Sequence, residues 1–112
     1  MMDASEYQKL AMRTLNPALD TRDVLINGVM GLCGESGEVI DIVKKHLAQG
    51  HPLDTEKMKK ELGDVAWYLA ETATALGADL SEILQMNIDK LRARYPDGFD
   101  AEKSVVRRPG DN

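Results

Sequence analysis

Cysteine is nearly absent from this sequence. Cys33 stands alone among 112 residues, so neither an intrachain disulfide nor a cysteine zinc cluster can form, and a reducing, cytoplasmic setting is the expectation. Aromatic residues are scarce too. One Trp, one Phe and three Tyr beside a hydrophobic content of 43% mean that the core must be aliphatic. No apolar run approaches the roughly 18 residues of a membrane span. The opening Met1-Met2-Asp3-Ala4-Ser5-Glu6 lacks the basic and apolar segments of a secretory signal. Positive charge is in deficit: 14 Lys and Arg against 19 Asp and Glu leave a net charge of −5. This argues against duplex nucleic acid, whose binding relies on basic residues that release counterions, and is compatible with binding cations. No phosphate-binding glycine loop follows a strand-like segment, no repeat is visible, and no stretch alternates as a strand would.

What the sequence does contain is helical punctuation. Asp3, with Glu6 three residues on, opens a short helix that Asn16-Pro17 ends near Leu15. Asp20 caps a long helix that runs to about Gln49, where Gly50 and Pro52 stop it. Asp54 caps a third that ends near Leu76-Gly77; Asp79 and Glu82 open a fourth that Pro96 closes. The expected fold is all-α, an antiparallel bundle of about four helices in one domain over residues 1–112, with its core at about 20–99 and a loosely held tail at about 100–112. Apolar residues around much of the second and third helices predict assembly into a homo-oligomer, a dimer or tetramer.

Two stretches carry the chemistry. Glu35 and Glu38 lie three apart on the second helix, and Glu61 and Asp64 lie three apart on the third. That spacing puts each pair on one helix face, about 60° apart. The apolar stripe Leu25, Val29, Leu32, Ser36, Val39, Val43 and its counterpart Met58, Leu62, Val65, Leu69, Thr72, Leu76 predict the seam between the two helices, with the acids flanking it in matching phase. The short polar connection from Gly50 to Asp54 makes these helices antiparallel neighbours. Four carboxylates in one half-buried place repel one another and raise their pKa values unless a cation joins them. All-oxygen ligands suit Mg²⁺, with Mn²⁺ as the second choice. His46 and His51 stand outside the Glu-x-x-His spacing of di-iron bundles.

Four glycines, Gly28, Gly31, Gly34 and Gly37, interrupt the second helix, each at a cost of about 1 kcal/mol relative to Ala. Close helix approach, or room for a metal-bound ligand beside the acids, would offset it. On the fourth helix Asn87, Lys90 and Arg94 share one face. They are either a solvated basic face favoured by the helix dipole or phosphate contacts; Lys44 and Lys45 offer the same choice. Trp67 and Tyr68 follow Asp64. Core packing is the default for both, and Tyr68, one turn beyond Asp64, is also placed to line a pocket for a base or sugar.

The segments Gly34-Glu35-Ser36-Gly37-Glu38-Val39, Glu61-Leu62-Gly63-Asp64-Val65-Ala66-Trp67-Tyr68-Leu69 and Asn87 to Phe99, with Arg94-Tyr95-Pro96, resemble the MazG-like nucleotide pyrophosphohydrolases of the all-α NTP pyrophosphatase superfamily. The resemblance covers roughly residues 25–99. It implies an all-α fold whose subunits associate, and hydrolysis of a nucleoside triphosphate to a monophosphate and pyrophosphate, an activity suited to cleansing the nucleotide pool. It makes Glu35, Glu38, Glu61 and Asp64 the Mg²⁺ ligands, with Glu35 or Glu38 activating water, and Tyr68, Asn87, Lys90 and Arg94 candidate substrate contacts. Many members begin the motif with two adjacent glutamates; here Gly34 takes the first place. The competing reading is a non-enzymatic helical module for oligomerisation or protein interaction, whose acids are a surface feature.

Overall fold

The computed structural model describes residues 1–106. They form five helices: α1 (Ala4–Met12), α2 (Thr21–Gln49), α3 (Thr55–Ala75), α4 (Leu80–Arg94) and α5 (Ala101–Val105), with no strand among the described residues. The chain divides into two compact units, Met1–Leu80 and a second that begins at Ser81. The fifth helix falls where a loose tail was expected; its first turn is capped by Asp100, whose carboxylate accepts from the Glu102 backbone N–H at 2.9 Å. Residues 107–112 of that tail lie outside the described residues.

The helix starts follow the acidic caps. Asp3 accepts from the Glu6 N–H at 2.9 Å, Asp20 from Asp23 at 2.8 Å and Asp54 from Lys57 at 3.0 Å, each cap contributing about 1 kcal/mol. α1 stops at Met12 rather than near Leu15, because the Thr14 hydroxyl and N–H both turn back onto the Ala11 carbonyl, at 2.7 and 3.1 Å. α2 stops at Gly50, which takes a left-handed φ of 72°, a conformation that costs glycine nothing sterically.

α2 and α3 form the antiparallel pair that organises the first unit. The face by which they meet differs from the expected one. Contact runs one residue earlier on α2, along Gly28 and Gly31, which lie against Thr72 and Tyr68 of α3, with Val24 and Ile42 buried on the same line. A Cβ on Gly28 would collide with the Thr72 hydroxyl and come within 3.2 Å of its backbone nitrogen; one on Gly31 would enter the Tyr68 ring. Closest approach, not the widest aliphatic stripe, sets the seam. Glu35 therefore lies on the line of contact and not beside it.

Part of each expected stripe stays open. Val29 is 45% exposed, Leu62 53%, Leu69 41% and Leu76 64%. In an antiparallel pair residues one position after the line of contact lie toward the same side of the layer, so Val29 and Leu69 share a side; Leu25, Leu32, Val39, Val43, Met58 and Val65 of the stripes are half-buried, and Thr72 stays at the contact. The other side of α3 is covered by α1. There Ala11, Ala70 and Leu80 form a small core with Tyr7 and Trp67 packed on it, and the Trp67 indole N–H donates to the Ala11 carbonyl at 3.1 Å and the Thr14 hydroxyl at 2.9 Å.

Gly28→Ala is expected to destabilise the protein by about 1–3 kcal/mol, because the helices must part to admit the methyl group. Gly34→Ala, at a position with nothing within 4 Å of the new Cβ, should stabilise by up to about 1 kcal/mol through helix propensity alone. Thermal unfolding of the two variants without added metal checks both signs.

Candidate metal centre and adjoining cleft

Glu35 of α2 and Glu61 and Asp64 of α3 come together at the middle of the seam. One carboxylate oxygen from each lies within 4.8 Å of the others, close enough for a single hard cation to be shared among them. Glu35 and Glu61 are half-buried and Asp64 is exposed, so the cluster opens to one side. Glu38 lies one turn further along α2, outside this close set, and is exposed.

The Glu35 carboxyl is held above the usual carboxylate range. Its hydrogen bond to the Glu61 carboxyl is the main cause, followed by burial and by the charges of Glu61, Asp64 and Glu38. The donor set, three carboxylates and no sulfur or imidazole, fits Mg²⁺ or Mn²⁺.

Beside the cluster lies a cleft of about 360 Å³ lined by Glu35, Asp64, Trp67 and Tyr68. The two rings meet edge to face, 5.1 Å between centroids at 85°. Tyr68 takes its place in the cleft as the sequence allowed. Trp67 also lines it, although its indole anchors it to α1 as a core residue would be anchored. Burial, and then the charge of Asp64, push the Tyr7 phenol above its usual value, which brings α1 within the field of the site. Gly34 and Gly63, next to the acids, have nothing within 4 Å of where a Cβ would stand; Gly28 and Gly31 are the two that serve close helix approach.

The remaining candidates are elsewhere. Lys45 is engaged by Asp41 at 3.0 Å, and this contact, ahead of the nearby lysine charges, lowers the Asp41 pKa. It lines a second cleft, of about 440 Å³, at the α2–α3 connection. His46 and His51 clip that connection, with the His46 ring nitrogen Nδ1 2.8 Å from the His51 carbonyl. Asn87, Lys90 and Arg94 lie on α4, in the second unit. Asn87 is exposed, Lys90 half-buried and Arg94 buried, its guanidinium 5.8 Å from the centre of the Tyr95 ring.

One pair escaped the sequence reading. Glu71 is fully buried, and both its oxygens lie 2.9 Å from the Asn27 side-chain nitrogen. The signal was available: Glu71 is seven residues after Asp64 and so on the same helix face.

An all-helical unit with three clustered carboxylates beside an aromatic cleft has the donor set that a divalent cation would need. The MazG nucleotide pyrophosphohydrolase domain matches this chain over residues 27–99, a span that contains all four acids and the basic face of α4. The chain belongs to that family, whose general activity is nucleotide pyrophosphohydrolysis and whose members typically depend on a divalent metal. It is also 38% identical over 87 residues to the Gene 37 protein of Mycobacterium phage L5, covering 74% of this chain and 71% of the relative; that name states no activity. No solved structure gives a significant match. No helix among the described residues is long and apolar enough to cross a membrane.

Proposed function

We propose that the protein is a Mg²⁺-dependent nucleoside triphosphate pyrophosphohydrolase, converting an NTP or dNTP and water to the monophosphate and pyrophosphate. The convergence of Glu35, Glu61 and Asp64 within 4.8 Å beside an aromatic cleft is the observation that carries this reading. Glu35, Glu61 and Asp64 would hold the cation, with Glu38 as the fourth carboxylate. When bound, Mg²⁺ supplies charge neutralisation on the phosphates and a more acidic water.

The chain's own groups supply the rest. The carboxylates orient the attacking water against the α-phosphorus. Glu38, outside the close set, is the carboxylate left to accept its proton as the bond to the bridging oxygen breaks and pyrophosphate departs. Trp67 and Tyr68 wall the cleft against the nucleoside. Asn87, Lys90 and Arg94 are retained as candidate substrate contacts on the strength of their match to the family's motif.

The apolar face of Val29, Leu62, Leu69 and Leu76 supports a homo-oligomer. Two such layers laid face to face would make a four-helix bundle whose core is the stripe that one chain leaves open.

Incubation of the protein and Mg²⁺ with a panel of triphosphates is expected to give equal amounts of monophosphate and pyrophosphate. Release of orthophosphate and a diphosphate would overturn the assignment. A helical interaction module with incidental surface acids would show neither turnover nor a Mg²⁺-dependent rise in melting temperature.

A further inference from the structure

We propose that Asn27, oriented by the buried carboxylate of Glu71, reads the base of the substrate as a hydrogen-bond acceptor and so favours bases with an exocyclic amine, cytosine and adenine. The inference deepens the reading above and rests on it, since it takes the acids as the place where the phosphates are held.

Glu71 is the one large side chain that is completely buried among the described residues. Stability does not explain it. A buried carboxylate is costly to desolvate, and an apolar residue of similar size commonly does as well or better. What Glu71 achieves is visible in its partner: both its oxygens face the Asn27 nitrogen Nδ2 at 2.9 Å. A carboxylate can only accept, so the Asn27 amide is fixed with its N–H groups inward. Its carbonyl Oδ1 is what remains to offer, and Asn27 is exposed.

The position suits a base. Asn27 precedes Gly28, Glu71 precedes Thr72 and Trp67 precedes Tyr68, each by one residue from the line of contact, so all three lie toward the same side of the α2–α3 pair. Trp67 lines the cleft; Asn27 and Glu71 stand beyond its lining, so the base reaches past the cleft to meet Asn27. Asn27 stands eight residues from Glu35 on α2, about 12 Å along the axis, a distance on the scale of a nucleoside and its α-phosphate. Between them lie Gly31, which projects no side chain, and the Tyr68 ring set against it. With the phosphates at the acids, the base extends past Tyr68 with its edge toward Asn27. A carbonyl there accepts from the cytosine or adenine amine, and meets the exocyclic oxygen of uracil, thymine or guanine as a second acceptor. Such a mismatch leaves polar groups unpaired, which is how a site rejects a near-isostere.

The test compares kcat/KM for dCTP, dATP, dUTP and dGTP, with Mg²⁺, in the wild type, Asn27→Ala and Glu71→Gln. The wild type should favour dCTP over dUTP and dATP over dGTP by about tenfold, the discrimination of one hydrogen bond. Asn27→Ala should level each pair, mainly through KM, with Mg²⁺ binding kept and a lower melting temperature, because buried Glu71 loses the amide that both its oxygens face. Glu71→Gln should reverse the order, because the new amide can donate to Asn27 Oδ1 and turn the Asn27 N–H groups outward. The wild-type ratios need no variant, so the proposal stays open to refutation if Glu71→Gln or Asn27→Ala does not fold. Equal hydrolysis of all four by the wild type, or the same preference retained in Asn27→Ala, overturns the role of Asn27 while the pyrophosphohydrolase reading stands. Absence of pyrophosphate from every triphosphate overturns both.

Discussion

Asp64→Asn should lose pyrophosphate release by at least about a hundredfold, the scale on which metal sites respond to damaged ligation, while the protein stays folded. Asp64 is the exposed member of the three converging acids, so the amide replaces it without a packing defect. What changes is charge: a hard anionic ligand becomes a neutral one. The stabilisation that Mg²⁺ confers should shrink accordingly. The metal-free variant should melt no lower than the wild type, and somewhat higher, because the Asp64 charge is one of the causes that raise the Glu35 pKa and its removal relieves repulsion within the cluster. Calorimetry with Mg²⁺ alone, then kinetics, separates binding from turnover. Wild-type turnover of Asp64→Asn at low Mg²⁺ would dismiss the carboxylate cluster as the metal site.

The second large effect concerns assembly. Leu69→Asp is expected to convert the proposed oligomer to single chains of 12.4 kDa in light scattering at micromolar concentration. Leu69 sits between Leu62 and Leu76 on the open face of α3, one α-helical heptad from each. An aspartate there would be buried on both copies near the centre of the contact, with no partner for its charge, a cost that an interface of this kind cannot absorb. Leu10→Asp is the control. Leu10 is 49% exposed on α1, the helix that covers the other side of α3, so its replacement should leave the mass unchanged. A wild-type protein that already scatters as one chain would refute the proposed assembly outright.

The carboxylate cluster and the open face follow from one event, the meeting of α2 and α3 along their glycines. The acids are drawn into the seam because the line that carries Gly28 and Gly31 also carries Glu35. Val29, Leu62, Leu69 and Leu76 are left exposed by the same geometry. A chain that spent its aliphatic stripes on its own seam would have held the acids apart on the surface, and would have kept no apolar face for a second copy.

Most of the architecture could be read from the amino-acid sequence. Asp3, Asp20 and Asp54 mark helix starts because a side-chain oxygen that bonds the N–H three residues on is a local matter. Gly50 marks a helix end because its left-handed φ is a property of one residue. The Glu-x-x-Glu and Glu-x-x-Asp spacings place each acid pair on one face wherever the helices lie. Tertiary structure decided the rest. It set which line of α2 meets α3, because hydrophobic periodicity ranks faces by apolar area whereas helices settle where their backbones approach most closely. It brought three acids into one close set and left Glu38 outside, since the register of two helices depends on their shared contacts and not on either sequence. It also buried Glu71 against Asn27, 44 residues away: the seven-residue spacing puts Glu71 on the face of Asp64, but a carboxylate on a helix reads as solvated until a neighbouring helix covers it.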